Sequence, residues 1–217
     1  MTHAERMTRF DESDLYVVIT EQFCAGRSSL AVLEDVLRAG VTLVQLREKE
    51  MDDGPLFERA LVFRKATREA GALLIIDDRL DVALAVEADG VHLGQTDLPI
   101  AAGRRIAPDL IIGGSTHSLD EALAAQSDGA SYVNIGPIFA TQTKQVATGV
   151  VGPAMIDAIV PSLTIPWTTM GGIKLHNIHE VLQRGARHAA VVTAVTAAPD
   201  VYEAAMELRD AMLAARR

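Results

Sequence analysis

Gln45, Arg47 and Lys49 alternate along one short segment, so in an extended chain their side chains lie on the same face. An amide and two cations that converge in this way suit a phosphate or diphosphate group. Arginine can donate two parallel hydrogen bonds to such a group, and lysine adds a point charge. The alternative is an ordinary solvated loop in which Arg47 pairs with Glu48. This segment alone leaves both interpretations open.

Carboxylates follow two neighbouring apolar runs. Asp77 and Asp78 come directly after one run, and Asp97 comes shortly after the next. Beside a cationic site, Asp78 and Asp97 indicate Mg²⁺, which usually binds one or two carboxylates together with substrate phosphates and water. Alternatively, these two residues cap the helices that follow them, a role for which aspartate is well suited. Their positions are compatible with both roles.

Hydroxyl groups and glycines make up a third set of candidates. Thr141, Thr143 and Lys144 belong to a long segment after an apolar run, and long segments of this kind often bind ligands. Gly171 and Gly172 follow another run, and glycine lets backbone N–H groups approach an anion closely. These residues together predict a phosphate site.

The candidates all follow members of a regular alternation of apolar runs and helical patterns. Eight runs predict strands: Leu15–Thr20, Thr42–Leu46, Leu73–Ile76, Gly90–Leu93, Leu110–Gly114, Tyr132–Gly136, Leu163–Thr168 and Ala189–Thr193. Eight patterns predict helices: Leu30–Ala39, Leu56–Ala70, Asp81–Ala88, Ile100–Ala107, Leu119–Ser127, Pro153–Val160, Asn177–Arg184 and Val201–Arg216. Continuous apolar runs suit parallel strands that are buried on both faces, so the alternation predicts an α/β protein with a parallel sheet.

Eight strand–helix units close most naturally into a single (β/α)8 TIM barrel, with a doubly wound open sheet as the alternative. We assign residues 1–14 to a polar N-terminal extension and residues 15–217 to the barrel. Active sites of such barrels lie at the C-terminal ends of the strands, so residues that follow strands are the functional candidates. The loops after the seventh and eighth strands, which include Gly172 and Thr193, form the usual phosphate site of this fold.

The composition limits the function classes. The 217 residues include 20 Lys+Arg and 29 Asp+Glu, a formal charge of −9 that argues against a nucleic-acid partner. The single cysteine, Cys24, excludes a disulfide framework and a cysteine-based zinc site within the chain. No apolar run approaches about 18 residues, and the first residues are too polar for a signal sequence. We therefore expect small-molecule partners, no membrane association and a cytoplasmic location.

Few other side chains qualify as reactive groups. We interpret His92, within a predicted strand, as a hydrogen-bonded core histidine, and His176 and His179 as surface residues. Cys24 has no cationic partner nearby in the sequence, so we expect an inert thiol. The sequence indicates no convincing Ser–His or Cys–His set for nucleophilic catalysis. The positions of the lysines indicate where anions bind. Three of only four lysines (Lys49, Lys144 and Lys174, but not Lys65) follow predicted strands and therefore lie at the predicted mouth of the barrel.

Four segments of the sequence together resemble the thiamine phosphate synthase family. They are Val44-Gln45-Leu46-Arg47-Glu48-Lys49, Ala88-Asp89-Gly90-Val91-His92-Leu93-Gly94-Gln95, Gly136-Pro137-Ile138-Phe139 through Thr141-Gln142-Thr143-Lys144, and Gly171-Gly172-Ile173. The resemblance extends from about Leu15 to Ala198. It implies a transferase that joins hydroxymethylpyrimidine diphosphate to hydroxyethylthiazole phosphate, with Mg²⁺ as cofactor, giving thiamine phosphate and diphosphate. The implied reaction is a dissociative substitution in which the aminopyrimidine stabilises a methylene cation.

The resemblance also implies a role for each candidate residue. The pyrimidine diphosphate would be held by Gln45, Arg47 and Lys49, with Lys144 closing over it, Ser115 beside the leaving diphosphate, and Asp78 and Asp97 as the Mg²⁺ ligands. The thiazole phosphate would be held by Thr141, Thr143, Gly172, Val192 and Thr193. Arg47, Lys49, Ser115 and Lys144 would be the catalytic residues among these.

The sequence departs from the family pattern at several of these positions. Asp77, a substrate-binding position, stands where the family has asparagine, and this like charge should weaken diphosphate binding unless Mg²⁺ compensates or the carboxyl group is protonated. Asn134 replaces a small residue and is expected to intrude into the pyrimidine pocket. Thr193 replaces serine but keeps the hydroxyl group. Trp167–Met170 replaces small aliphatic residues.

Two other functions remain open at this point. A related thiazole tautomerase shares the phosphate loops but has a histidine where this sequence has Pro137, so that Pro137 and the cations Arg47 and Lys49 favour the synthase. A catalytically impaired protein that binds thiazole phosphate or thiamine phosphate is the second alternative, kept open by Asp77 and Asn134. Small barrels often associate through their outer helices, so a homo-oligomer is a further expectation.

Overall fold

The structure, a computed structural model, describes residues 1–143 and 149–216. Within these residues, parallel strands form a closed barrel in which each strand pairs with the next along the chain and the last pairs with the first. The strands are β1 (Leu15–Ile19), β2 (Leu43–Leu46), β3 (Leu73–Asp77), β4 (Gly90–Leu93), β5 (Ile111–Thr116), β6 (Tyr132–Ile135), β7 (Trp167–Met170) and β8 (Ala189–Val191). The predicted (β/α)8 barrel is confirmed, and the open-sheet alternative is wrong.

Helices surround the barrel and close its lower end. They are α1 (His3–Glu12), α2 (Ser29–Arg38), α3 (Asp53–Glu69), α4 (Leu80–Ala85), α5 (Ile100–Ile106), α6 (Leu119–Ser127), α7 (Ala154–Ile159), α8 (Ile178–Leu182), α9 (Thr193–Thr196) and α10 (Val201–Ala215). Two 3₁₀ turns, Glu21–Phe23 and Val160–Ser162, complete the described elements. No helix of the described ranges is long and apolar enough to cross a bilayer.

Strand residues alternate between two apolar layers. Leu15, Val17 and Ile19 of β1 face outward and join the large core between the strands and the helices. Tyr16 faces inward and joins a second, smaller cluster inside the barrel. That inner cluster contains Phe10, Tyr16, Leu43, Leu73, Ile75, Ile111, Tyr132 and Ala190. The barrel is therefore filled by side chains below its mouth.

Residues 1–14, which we predicted as a polar extension, are largely helical. Helix α1 begins with a capping box in which the Thr2 side chain and the Glu5 side chain each accept a bond from the other's backbone N–H. Phe10 of this helix is fully buried, and its ring stacks on that of Tyr132 with the centroids 4.8 Å apart. The helix thus closes the lower end of the barrel interior.

Two predicted strand boundaries are wrong in ways that affect the mouth. The seventh strand was expected at Leu163–Thr168, but β7 begins only at Trp167, because Pro166 has no N–H to donate to a strand ladder. The strand also ends later than expected, at Met170. Similarly, β5 continues beyond Gly114, so that Ser115 is a strand residue in register with β6 and not part of the following loop.

Candidate active site

The C-terminal ends of β2 to β5 surround a cavity of about 380 Å³. Strand β2 directs Gln45 inward, and the chain stays extended past its end because the Arg47 N–H donates to the Ile19 carbonyl oxygen over 2.9 Å. The lining residues include Gln45, Arg47, Lys49, Asp77, Asp78, His92, Asp97 and Ser115. The structure thus brings together the predicted diphosphate-binding and metal-binding residues, apart from Lys144, which lies outside the described residues.

Cations and carboxylates are interleaved in this cavity. Asp77 Oδ2 lies 3.4 Å from both Arg47 Nε and Lys49 Nζ, and Lys49 also forms an ion pair with Asp78. Burial lowers the pKa of the Lys49 ammonium group, but Asp77 and Asp78 outweigh this effect, and the pKa lies above its ordinary value. Asp77, the departure from the family pattern, is therefore paired directly with the two cations that we assigned to the diphosphate.

Asp78 and Asp97 are neighbours in the lining of this cavity. Burial and the neighbouring charge of Asp77 raise the pKa of the Asp78 carboxyl group to about 6, and a hydrogen bond with Asp97 contributes in the same direction. Neither aspartate caps a helix: α4 is preceded by Arg79 and α5 by Pro99, without a side-chain cap. The helix-cap alternative is therefore wrong for both residues.

Two crowded carboxylates are a donor set that suits a hard divalent cation. A cation between Asp78 and Asp97 would relieve their mutual repulsion and favour the ionised form of both. In the described part of the chain, no cluster of three or more His, Cys, Asp or Glu side chains could hold a metal ion. Such an ion would therefore take its remaining ligands from water or from substrate phosphates, as Mg²⁺ commonly does.

A second cavity, of about 500 Å³, lies over the ends of β7 and β8. Its lining includes Thr141, Thr143, Gly171, Gly172, Lys174, Val192 and Thr193. The Thr141 and Thr143 hydroxyl groups lie 2.9 Å apart within hydrogen-bonding distance. The structure therefore brings together the residues predicted for the second phosphate, again except Lys144, and adds the exposed Lys174.

The glycines of this second cavity are required by close backbone packing. Gly171 and Gly172 have φ angles of +103° and +63°, and a Cβ on Gly172 would lie 2.4 Å from the Ala140 carbonyl oxygen. The loop after β6 lies directly on them, since the Phe139 N–H donates to the Gly171 carbonyl oxygen over 2.9 Å. A larger side chain at either glycine would push this loop away from the cavity.

The two cavities adjoin each other and share part of their lining. Phe23, Thr143, Met170 and Val192 line both. Our sequence analysis did not name Phe23 or Met170 as site residues: Phe23 lies in the 3₁₀ turn after β1, and Met170 is the last residue of β7. A signal existed for Phe23, because it follows a strand as the other candidates do.

A chain of buried polar side chains lies beneath the mouth. Gln45 Nε2 donates to the Tyr16 hydroxyl over 2.7 Å, and the Tyr16 and Tyr132 hydroxyl groups are 3.0 Å apart. His92 Nδ1 lies 3.0 Å from the Tyr132 hydroxyl, and His92 Nε2 lies 2.9 Å from Ser115 Oγ. The interpretation of His92 as a hydrogen-bonded core histidine is confirmed. The contact between His92 and Ser115 was not anticipated from the sequence, and it forms because neighbouring strands bring the two side chains together.

The remaining sequence interpretations concern single side chains. Asn134 accepts a hydrogen bond from the Thr168 hydroxyl group over 2.9 Å and lines a recess of about 50 Å³ beside Ser115. Burial raises the pKa of the Cys24 thiol to about 11, and the thiol donates to a backbone carbonyl oxygen, in agreement with an inert cysteine. His176 and His179 are exposed, as expected.

Comparison with known proteins identifies the family. A family described as "Thiamine monophosphate synthase" matches residues 15–195. The chain belongs to this family. Thiamine-phosphate synthases resemble it over most of their length: that of Chloroflexus aurantiacus is 48% identical over 195 residues, covering 90% of each chain, and that of Moorella thermoacetica is 44% identical, covering 94% of this chain and 97% of the relative.

A solved structure extends this similarity to three dimensions. Thiamine phosphate pyrophosphorylase from Pyrococcus furiosus superposes with a TM-score of 0.88 at 39% identity, covering 96% of this chain and 98% of the other. The resemblance inferred from the sequence is confirmed, as is the prediction of an enzyme of the transferase class. Membership of the thiamine monophosphate synthase family also accounts for two adjoining cavities, since its reaction joins two phosphorylated substrates.

Proposed function

We propose that this chain condenses hydroxymethylpyrimidine diphosphate with hydroxyethylthiazole phosphate, releasing diphosphate and forming thiamine phosphate. The observation that carries this proposal is the pair of adjoining cavities at one barrel mouth. One cavity is lined by two cations and four carboxylates, Arg47, Lys49, Asp77, Asp78, Asp97 and Glu121. The other is built from glycine loops and hydroxyl groups. The first suits a diphosphate with a divalent cation, and the second suits a phosphate monoester.

On the diphosphate side, we assign the leaving group to Arg47 and Lys49, with Ser115 beside it. Asp78 and Asp97 would hold Mg²⁺, which supplies positive charge beside the departing diphosphate. Arg47 and Lys49 are already held at the cavity by their ion pairs, so little reorganisation is needed when the diphosphate replaces Asp77 as their partner. Lys144 is proposed to close over the same group from the loop after β6.

On the phosphate side, Thr141, Thr143, Gly172, Val192 and Thr193 would bind the thiazole phosphate. The hydroxyl groups donate hydrogen bonds, and the glycines allow backbone N–H groups to approach the anion. Loops after the seventh and eighth strands form the recurrent phosphate site of this fold, which supports the assignment. Because the two cavities share Met170 and Val192, the thiazole nitrogen can reach the pyrimidine methylene carbon there.

The chemistry we propose is a dissociative substitution. The bond between the methylene carbon and the diphosphate oxygen breaks first, the aminopyrimidine stabilises the cation, and the thiazole nitrogen donates its electron pair to form the new C–N bond. The contribution of the protein is positioning and charge stabilisation of the diphosphate. Ser115 contacts His92, but the other imidazole nitrogen faces the Tyr132 hydroxyl group and not a carboxylate, unlike a nucleophilic triad.

A two-substrate assay tests the proposed function. Thiamine phosphate and diphosphate should appear in equal amounts only when both substrates and Mg²⁺ are present, and neither substrate alone should release diphosphate. Binding of thiazole phosphate without diphosphate release would contradict the proposal and favour the impaired binding protein. The tautomerase alternative predicts isomerisation of a carboxythiazole phosphate, which can be followed in the same samples. The cytoplasmic location and the homo-oligomer stay predictions alongside this proposal.

A further inference from the structure

The buried chain of hydrogen bonds joins the two ends of the diphosphate cavity through the inside of the barrel. Gln45 and Ser115 line the cavity, whereas Tyr16 and Tyr132 lie beneath it and are at most 1% exposed. Four consecutive contacts of 2.7–3.0 Å connect Gln45 to Ser115 by way of both tyrosines and His92. We call these five residues the barrel relay.

Both phenols of the relay are neutral donors. Burial raises the pKa of Tyr16 and of Tyr132 above the ordinary value. A neutral phenol has one proton to donate, and a neutral imidazole has one protonated and one unprotonated nitrogen. The direction of any one hydrogen bond in the chain therefore determines the direction of the next.

With a neutral imidazole, the relay has two complete proton arrangements. In the first, the Gln45 amide donates to Tyr16, Tyr16 to Tyr132, Tyr132 to His92 Nδ1, and His92 Nε2 to Ser115, which leaves the Ser115 proton for the cavity. In the second, every bond is reversed and the Gln45 amide is rotated, so that Ser115 donates to His92. The first offers an acceptor at Gln45 and a donor at Ser115, and the second offers the opposite pair.

The diphosphate selects between these arrangements, because its oxygens only accept hydrogen bonds. Ser115 can donate to it only in the first arrangement, and then Gln45 presents its carbonyl oxygen to the cavity. A group that donates a hydrogen bond, such as the amino group of an aminopyrimidine, matches that oxygen. A pyrimidine ring with an oxo group in place of this amino group can only accept a hydrogen bond from Gln45. It therefore favours the second arrangement, in which Ser115 donates its proton to His92.

We propose, on the basis of the proposed function, that Tyr16 and Tyr132 are positioning residues that couple recognition of the pyrimidine amino group at Gln45 to proton donation by Ser115 to the diphosphate. Gly113, on the neighbouring strand, leaves the space that the Tyr132 ring needs to take part in the relay. A Cβ on Gly113 would lie 2.2 Å from Tyr132 Cζ, so only glycine leaves room for the phenol in the relay. Phe10 stacks on the same ring from below.

The tautomer of His92 is the direct test. Ring ¹⁵N NMR of the histidine-labelled protein, with saturating inorganic diphosphate and Mg²⁺ at about pH 8, where an ordinary imidazole is neutral, should show His92 protonated at Nε2. His188 is an internal reference, because its Nε2 lies 3.0 Å from the Phe10 carbonyl oxygen and must donate to it. Protonation of His92 at Nδ1 in the diphosphate complex would overturn the proposal, as would a failure to bind diphosphate.

A double-mutant cycle distinguishes coupling from packing. Tyr132→Phe should lower kcat about tenfold, the loss expected for a misdirected hydrogen bond to a charged group, and should leave KM for the thiazole phosphate unchanged. In a Ser115→Ala background the same substitution should cost less than twofold, because the group on which the relay acts is absent. Tyr202→Phe, on the outer helix α10, is the matched control and should have no effect in either background.

An equal loss in both backgrounds, or no loss from Tyr132→Phe alone, would overturn the coupling. Tyr16→Phe interrupts the relay at another point and repeats the test if Tyr132→Phe does not fold. A second substrate, a pyrimidine diphosphate with an oxo group in place of the amino group, tests the link to Gln45. The ratio of kcat/KM for the amino substrate to kcat/KM for the oxo substrate should be at least threefold smaller in Tyr132→Phe than in the wild type. An unchanged preference contradicts the link to Gln45. If the wild type forms no thiamine phosphate, the proposed function is wrong. The tautomer measurement still tests the relay in that case, because it uses inorganic diphosphate and does not depend on turnover.

Discussion

At the scale of single residues, Asp77 has the clearest consequence for binding. It lies 3.4 Å from both Arg47 and Lys49 and thus competes with a diphosphate for the same two cations. Asp77→Asn should therefore lower KM for the pyrimidine diphosphate about tenfold, since one unfavourable charge contact of about 1.4 kcal/mol is removed. Steady-state kinetics at saturating thiazole phosphate measure this change. A higher KM would instead show that the carboxylate orients Arg47 and Lys49 usefully.

Gly113 permits a second prediction at this scale. Its missing side chain leaves the space that the Tyr132 ring fills, so Gly113→Ala should destabilise the protein by about 1–3 kcal/mol and lower turnover as the ring is displaced. Gly103→Ala is the matched control, because Gly103 lies within helix α5 and the nearest atom of another element to the added methyl group, on Ile112, is 3.5 Å away. That change should stabilise the protein by about 0.5–1 kcal/mol. Urea unfolding compares the two, and similar effects would contradict the steric argument.

At the scale of elements, helix α1 connects the start of the chain with the interior of the barrel. Phe10 is fully buried beneath Tyr132, although the surrounding helix is polar. Phe10→Ala should therefore cost about 3–5 kcal/mol of unfolding free energy, measured by urea denaturation. Phe10→Leu keeps most of the apolar volume and should cost much less. Equal losses for both substitutions would show that the aromatic stacking, and not the filled volume, supports the barrel.

Elements with a strong pattern could be predicted from the sequence. Continuous apolar runs located all eight strands, and polar residues after them located most of the mouth, because the fold places strand ends together. Helix α1 was missed since it buries only Phe10 and Arg6, too few residues for a helical apolar stripe. The Ser115–His92 contact was also missed, because a pairing between neighbouring strands depends on register, and no spacing within one segment reveals it.

At the scale of the whole molecule, the net charge of −9 and the binding of anions are compatible because the mouth differs from the average surface. Arg47 and Lys49 lie there, yet three aspartates and Glu121 offset them. A diphosphate alone therefore meets a site with a formal charge of −2 from these six groups, whereas a bound divalent cation cancels that charge. Because a ligand that binds only the folded state stabilises it, the melting temperature should reveal how strongly diphosphate binds with and without a divalent cation.

Diphosphate should accordingly raise the melting temperature much more with Mg²⁺ than with a chelator. At a ligand concentration about 100 times Kd, binding adds about 2.7 kcal/mol, or roughly 5–11 °C for a chain of this size. Asp97→Ala removes one of the two proposed metal ligands and should abolish the Mg²⁺-dependent part of the shift. Lys65→Ala, at a lysine on an outer helix, should leave it intact. If diphosphate stabilises the wild type equally with and without Mg²⁺, then Arg47 and Lys49 alone suffice to bind it, and the assignment of Asp78 and Asp97 as metal ligands is wrong.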